Sequence, residues 1–205
     1  MFTGVIRQIG VVSGVLPLAG GKLRLEVDPA GWSHRPGMGD SIAVNGCCLT
    51  VVETKAGGVL AFDAVPETLA KTTLGTLEPG RRVHIEQAMS ASTLLDGHVV
   101  QGHVDGATVV EQIQQGGDWR VRLRPPSDLM AFIIPKGSVT LDGVSLTVAD
   151  VSPKEGWFEV ALIPATLELT TLGEWKPGTR VNLECDAMAK TVVHYLRHYA
   201  ERSNP

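Results

Sequence analysis

The sequence predicts an all-β fold: two tandem, homologous six-stranded β-barrels with Greek-key-like connectivity, followed by a C-terminal α-helix. The prediction rests on an internal duplication, on short alternating strand-like segments spaced evenly along both copies, and on a single helical stripe at the chain end. Self-similarity carries the most weight, because a repeat constrains the whole fold while a local propensity constrains only its own segment.

The repeat runs in the same order through both halves. Phe2-Thr3-Gly4-Val5-Ile6 aligns with Val100-Gln101-Gly102-His103-Val104, and Val11-Val12 with Val109-Val110. GDSIAVNGCCLTVVE (Gly39 to Glu53) recurs as KGSVTLDGVSLTVAD (Lys136 to Asp150), VPETLAKTTLG (Val65 to Gly75) as IPATLELTTLG (Ile163 to Gly173), and PGRRVHIE (Pro79 to Glu86) as PGTRVNLE (Pro177 to Glu184). The boundary falls just before Gly97, giving units over residues 1–96 and 97–186 and a terminal helix over 187–205.

Within each unit, segments such as KLRLEV, SIAVNG and CLTVVE alternate and are rich in strand formers, with Gly, Pro and Asn between them. A strand and turn every ~8 to 12 residues gives about six strands per unit. Closure into a barrel removes the unpaired edges that would otherwise template aggregation. Asn45-Gly46 and Asp142-Gly143 read as hairpin turns. The ETLAKTTLG and ATLELTTLG segments read as short helices ended by Gly75 and Gly173 as C-caps, and SDLMAFIIPKG as one more short helix. In DAMAKTVVHYLRHYAER, Met188, Val192, Leu196 and Tyr199 fall along one stripe suited to packing against another subunit, with Asp186 as N-cap.

With 205 residues, 43% hydrophobic and 20% charged, the chain has material for a proper core, and a net charge of −4 without a Lys/Arg run argues against nucleic acid as a partner. The start lacks a secretory pattern, and no apolar run reaches the ~20 residues that span a bilayer. An odd count of cysteines (Cys47, Cys48, Cys185) fits a reducing, cytoplasmic setting.

Alternation puts Cys48 and Thr50 on one face of a strand and Cys47, Leu49 and Val51 on the other; Ser145 and Thr147 repeat this against Val144, Leu146 and Val148. Small hydroxyl side chains on a half-exposed strand most often simply meet solvent. Their recurrence beside the repeated turn is what points to a site. His98 and His103, five apart, would face opposite ways in a strand, and no metal-ligand spacing occurs, so no metal is expected.

Taken together, the MFTG start, the NGCCLTV, GHVVQGHVD and DGVSLTV segments and the two TTLG helices resemble the riboflavin synthase family of two-barrel lumazine-binding proteins, over nearly the whole chain. The resemblance implies a dismutation of two 6,7-dimethyl-8-ribityllumazine molecules by four-carbon transfer, giving riboflavin and 5-amino-6-(D-ribitylamino)uracil without a cofactor. It further implies a homotrimer held by the terminal helices, with the first barrel of one subunit facing the second of its neighbour, and association with lumazine synthase.

Carried over by residue, the first pocket takes Gly4, Val5, Ile6, Cys48, Leu49, Thr50, Asp63, Ala64, Val65, Pro66, Glu67, Thr68, Gly102, His103 and Val104. The second takes Lys136, Ser145, Leu146, Thr147, Leu162, Ile163, Pro164, Ala165, Thr166 and Leu167. Cys48, His103, Ser145, Thr147, Phe2 and Asp186 are the positions expected to influence rate. A non-catalytic lumazine- or flavin-binding fluorescent protein is the alternative within the same architecture. Retention of Cys48, Thr50, His103, Ser145 and Thr147 favours the enzyme, whereas Ala165 stands where many members would carry a polar residue.

Overall fold

The computed structural model describes residues 1–116 and 119–200. The first six strands are β1 (Gln8–Pro17), β2 (Leu23–Asp28), β3 (Ser41–Val44), β4 (Cys47–Thr54), β5 (Leu60–Ala64) and β6 (Arg82–Gln87). They close in the spatial order β1-β2-β5-β4-β3-β6, and every pair is antiparallel. The next six are β7 (Gly106–Gln114), β8 (Trp119–Arg124), β9 (Ser138–Leu141), β10 (Val144–Ser152), β11 (Trp157–Leu162) and β12 (Arg180–Cys185). They close in the equivalent order, so the duplication read from the sequence is a duplication of topology.

Each barrel bends where its ladder slips. The slips fall at Val12/Gly14 and Val51/Glu53 in the first barrel and at Val110/Gln112 and Val148/Asp150, the matching places, in the second. An extra residue on one strand sharpens the twist, which is how a short sheet is brought round to meet itself. Inward residues fill each barrel, with Leu25, Phe62 and Ile85 fully buried in the first and Leu123, Phe158 and Leu183 in the second.

Helices α1 (Pro66–Lys71) and α2 (Pro164–Leu169) follow β5 and β11, each with proline at its start. The expected glycine C-caps are not used. Both helices stop at a threonine, Thr72 or Thr170, whose backbone turns extended and whose Oγ1 donates to the carbonyl of Thr68 or Thr166. The glycines fall later, inside 3-10 turns at Leu74–Thr76 and Leu172–Glu174, because a β-branched threonine that back-bonds its own helix ends it first. The expected short helix in SDLMAFIIPKG is a 3-10 turn at Met130–Phe132.

The chain ends in α3 (Ala187–His198), with Asp186 Oδ1 accepting from the Met188 N–H as N-cap. Met188, Val192, Leu196 and Tyr199 are all exposed along it. Residues 201–205, included in the expected helix, lie outside the described residues.

An approximate two-fold axis relates the barrels. Phe2 and Val100, matched in the repeat, exchange both backbone hydrogen bonds with each other, at 2.7 and 3.1 Å. The Asn45-Gly46 and Asp142-Gly143 turns, all four residues with positive φ, meet back to back; a Cβ on Gly46 would lie 2.6 Å from the Gly143 nitrogen. Around them, Asn182 of β12 donates to the Asn45 carbonyl and accepts from the Thr73 N–H, both bonds crossing to the first barrel. His84 of β6, at the matching place, reaches the other way: its Nδ1 meets the Asp142 carbonyl and its Nε2 accepts from the Thr171 N–H. An imidazole protonated on Nδ1 thus supplies the same donor and acceptor as a carboxamide.

Candidate active site

The strand faces come out as the alternation predicts. Cys47, Leu49 and Val51 are buried while Cys48 is half-buried and Thr50 exposed; Val144, Leu146 and Val148 are buried while Ser145 is half-buried and Thr147 exposed. What covers these polar faces is a pair of crossed segments. The Cys48 N–H donates to the Gly102 carbonyl at 2.8 Å, and the Ser145 N–H to the Gly4 carbonyl at 2.8 Å. Gly4 and Gly102 have φ of +74° and +79°, and a Cβ on either would come within 2.7 Å of the Cβ of Ser145 or Cys48 respectively. Only glycine fits so close an approach in that conformation.

The crossing regroups the expected pockets. Gly4, Val5 and Ile6, expected beside Cys48, run instead to Ser145, and Ile6 is buried in the second barrel's core. Gly102, His103 and Val104 do lie with the first barrel, where Val104 is buried in its core and His103 is exposed. Swapping partners in this way follows from the Phe2–Val100 pair: each segment passes the axis before it enters its own barrel. Phe2 is fully buried there, packed with Val100, Ala43 and Cys48.

The remaining expected residues follow β5 and β11. Asp63 sits on β5 in a bidentate pair with Arg24 at 2.7 and 3.0 Å, which holds its carboxyl below the usual range. Ala64 and Leu162 are buried; Val65, Pro66, Glu67 and their counterparts Ile163, Pro164, Ala165 are exposed; Thr68, Thr166 and Leu167 are half-buried. Lys136 is exposed at φ +62°, where the first barrel has Gly39 at +92°.

Sequence reasoning missed a partner. The segment 97–105 is not a strand apart from the single bridge at Val100, so strand alternation does not govern His98 and His103. His98 turns inward, its Nδ1 2.7 Å from Ser145 Oγ and its Nε2 3.2 Å from Thr140 Oγ1. Burial lowers its pKa, partly opposed by the charge of Asp186. Among the described residues no histidine hydrogen bond to Cys48 matches that of His98 to Ser145; the Cys48 side chain packs instead against Phe2. Cys47 and Cys185 are buried and their thiols are pushed up to about 12, which makes them packing residues.

Two buried carboxylates were also missed. Glu86 accepts from the Thr3 N–H, the Thr3 hydroxyl and the Gly4 N–H at 2.7, 2.8 and 3.2 Å. Glu184 accepts from the Gln101 and Gly102 N–H groups at 2.7 and 2.9 Å. Their recurrence as the final letter of PGRRVHIE and PGTRVNLE was the available signal. A separate cleft of about 620 Å³ opens beside the first barrel, lined by Val5, Trp32, Glu86, Met89 and Leu94 among others; Cys48 and Ser145 do not line it.

The lumazine binding domain family model matches residues 3–88 and again 101–186. The chain belongs to this family. Among its relatives are riboflavin synthases of Mycobacterium tuberculosis (44% identical over 199 residues, 96% of this chain and 98% of the relative), Brucella abortus (43%, 97% and 99%) and Bacillus subtilis (36%, 96% and 90%). A solved structure of LumP in complex with riboflavin covers 91% of this chain and 100% of its own, with a TM-score of 0.80 at 27% identity. LumP with 6,7-dimethyl-8-(1'-D-ribityl) lumazine gives 0.78 at 25% identity, over 90% and 98%. Both matched stretches of the lumazine binding domain end at the strand, β6 or β12, that carries the glutamate.

Proposed function

We propose that this chain catalyses the riboflavin synthase reaction, a group transfer in which one lumazine gives a four-carbon unit to a second. The carrying observation is the near full-length similarity to riboflavin synthases at 36–44% identity, set on two matched polar strands, each covered by the glycine-bearing segment that leads into the other barrel. The two products account for every atom of the two substrates, so the transfer needs neither oxidant nor reductant. The donor's 7-methyl carbanion is delocalised into an electron-poor ring. Placement of two like molecules therefore matters most, and proximity alone is worth about 7 to 11 kcal/mol.

The pockets then divide the labour. At the second, His98 takes the proton of Ser145 Oγ as that hydroxyl engages the acceptor ring; its lowered pKa keeps the imidazole neutral and able to accept. At the first, Cys48 and Thr50 present small polar groups, and exposed His103 carries away the proton released from the donor's 7-methyl group. Phe2, Thr147 and Asp186 support these faces, and the remaining residues expected in the two pockets contact the ligands. The exposed stripe of α3 supports assembly as a homotrimer, and we assign the protein to the cytoplasm, in association with lumazine synthase. Among the described residues no helix is long and apolar enough to cross a membrane.

The test is stoichiometry. Purified protein mixed with the lumazine consumes two molecules per riboflavin formed; fluorescence-shifting binding without conversion would instead make it a LumP-like carrier. Ser145→Ala and His98→Gln each lower turnover by roughly a hundredfold or more, and the double variant loses no more than the worse single one. Unchanged rates in both would remove the pair from the mechanism.

A further inference from the structure

Glu86 and Glu184 are the most deeply placed acids of their barrels' last strands, 9% and 3% exposed, and the bonds described for them run to backbone N–H groups and, for Glu86, one hydroxyl. Burying a carboxylate is costly unless hydrogen bonds replace its water. Burial accordingly raises both pKa values, while the N–H donors pull them back. A core that needed only filling would hold leucine at these positions.

What the carboxylates hold explains their retention. Glu184 grips Gln101 and Gly102, and the Gly102 carbonyl receives the Cys48 N–H of the other barrel. Glu86 grips Thr3 and Gly4, and the Gly4 carbonyl receives the Ser145 N–H of the other barrel. Each hook therefore lies in one barrel and acts on the polar strand of its neighbour. The glycines leave no slack, since both segments press to within van der Waals distance of the Cβ atoms of Cys48 and Ser145.

We propose that Glu86 and Glu184 are crossed positioning residues: Glu184 sets the Gly102–His103 segment over the Cys48 pocket, and Glu86 sets the Gly4–Val5 segment over the Ser145 pocket. This rests on the lumazine-binding reading of those pockets. A glutamine keeps the shape but presents an NH2 to a backbone N–H, so one acceptor of each pair is lost. Asp105 and Lys190, paired at 3.0 Å and tied to β12 through the Cys185 N–H, stay in place in the Glu184 variant and keep α3 anchored.

Amide hydrogen exchange read by NMR, with and without 6,7-dimethyl-8-ribityllumazine, tests the crossing. Glu184→Gln speeds exchange at Gln101 and Gly102 by roughly tenfold or more, and it weakens lumazine protection at Cys48–Thr50 while leaving Ser145–Thr147 protected. Glu86→Gln does the reverse, at Thr3 and Gly4 and at Ser145–Thr147. Glu→Asp at either position, which keeps the charge but retracts it, gives the same crossed pattern at smaller amplitude and serves if a glutamine variant does not fold. Loss of protection in the glutamate's own barrel, in both pockets alike, or in neither overturns the proposal. Absence of lumazine protection in the unsubstituted protein overturns it together with the enzyme reading, and is recognised because it precedes any substitution.

Discussion

The two barrels share topology, bulges, turns and the crossed segments, yet differ at a few matched positions that face the axis or the pockets. Asn45 stands against Asp142, His84 against Asn182, Cys48 against Ser145, and Gly39 against Lys136. At the axis the difference conserves hydrogen bonding: imidazole and carboxamide each give one donor and one acceptor to the opposite barrel. On the polar strands it does not: His98 attends Ser145, whereas Cys48 packs against Phe2. A duplication can therefore drift in residue identity where geometry is the requirement, while its two polar strands acquire different neighbours.

The comparison can be broken hardest at the axis itself. Gly46→Ala drives a Cβ to 2.6 Å from the Gly143 backbone in a left-handed conformation, and the barrels must part to admit it. We expect a loss of about 3 to 5 kcal/mol by urea denaturation. Gly57→Ala has nothing within 4 Å of the added carbon and φ of +78°, so only the conformational cost of roughly 1 kcal/mol should remain. Equal losses in the two variants would show that the turns do not bear on one another.

A finer break separates His84 from Asp142. Burial pushes His84 down from 6.5 to about 4, so its contribution is present above 6.5 and lost as pH falls toward 4. Burial pushes Asp142 up from 3.8 to about 7, so its contribution is present below 3.8 and lost as pH rises through 7. The slopes oppose each other between about 4 and 6.5, so these two contributions largely cancel there in the unsubstituted protein. His84→Asn, copying the second barrel, leaves Asp142 alone and makes stability fall with rising pH across 4 to 7; Asp142→Asn, copying the first, makes it rise across 4 to 6.5. Melting temperatures in a buffer series measure both. Identical pH profiles in the two variants would refute the assignment.

The smallest effect concerns a hydroxyl with no counterpart. Thr108 of β7 is fully buried with Oγ1 lacking a hydrogen-bond partner among the described residues, where the first repeat has Gly10. Thr108→Val keeps the shape and removes the orphan. A gain of about 1 kcal/mol in thermal or urea stability is expected, and a loss would mean that the hydroxyl is satisfied.

Much of this was legible in the chain. Period-two alternation places Cys48 and Ser145 on the open side of their strands without further help, since each neighbour must bury a large apolar group. The repeat fixes two barrels because similarly patterned segments in the same order fold alike. What sequence does not carry is the partner of a loop residue: His98 meets Ser145 across 47 positions because the segment between Gly97 and Asp105 crosses the axis, and no local pattern encodes that path. The same crossing hid the exchange of Gly4–Ile6 between pockets. The helix ends were misplaced for a smaller reason, since Thr72 and Thr170 compete with the glycines and win by binding their own helix backbone.

The mutual grip of Phe2 and Val100 also bears on how such a chain arose. A polypeptide comprising a single half has only one leading segment, and that segment cannot fold back over its own polar strand while pairing with itself across the axis. Two identical copies would satisfy every one of these bonds between them, each lending its leader to the other.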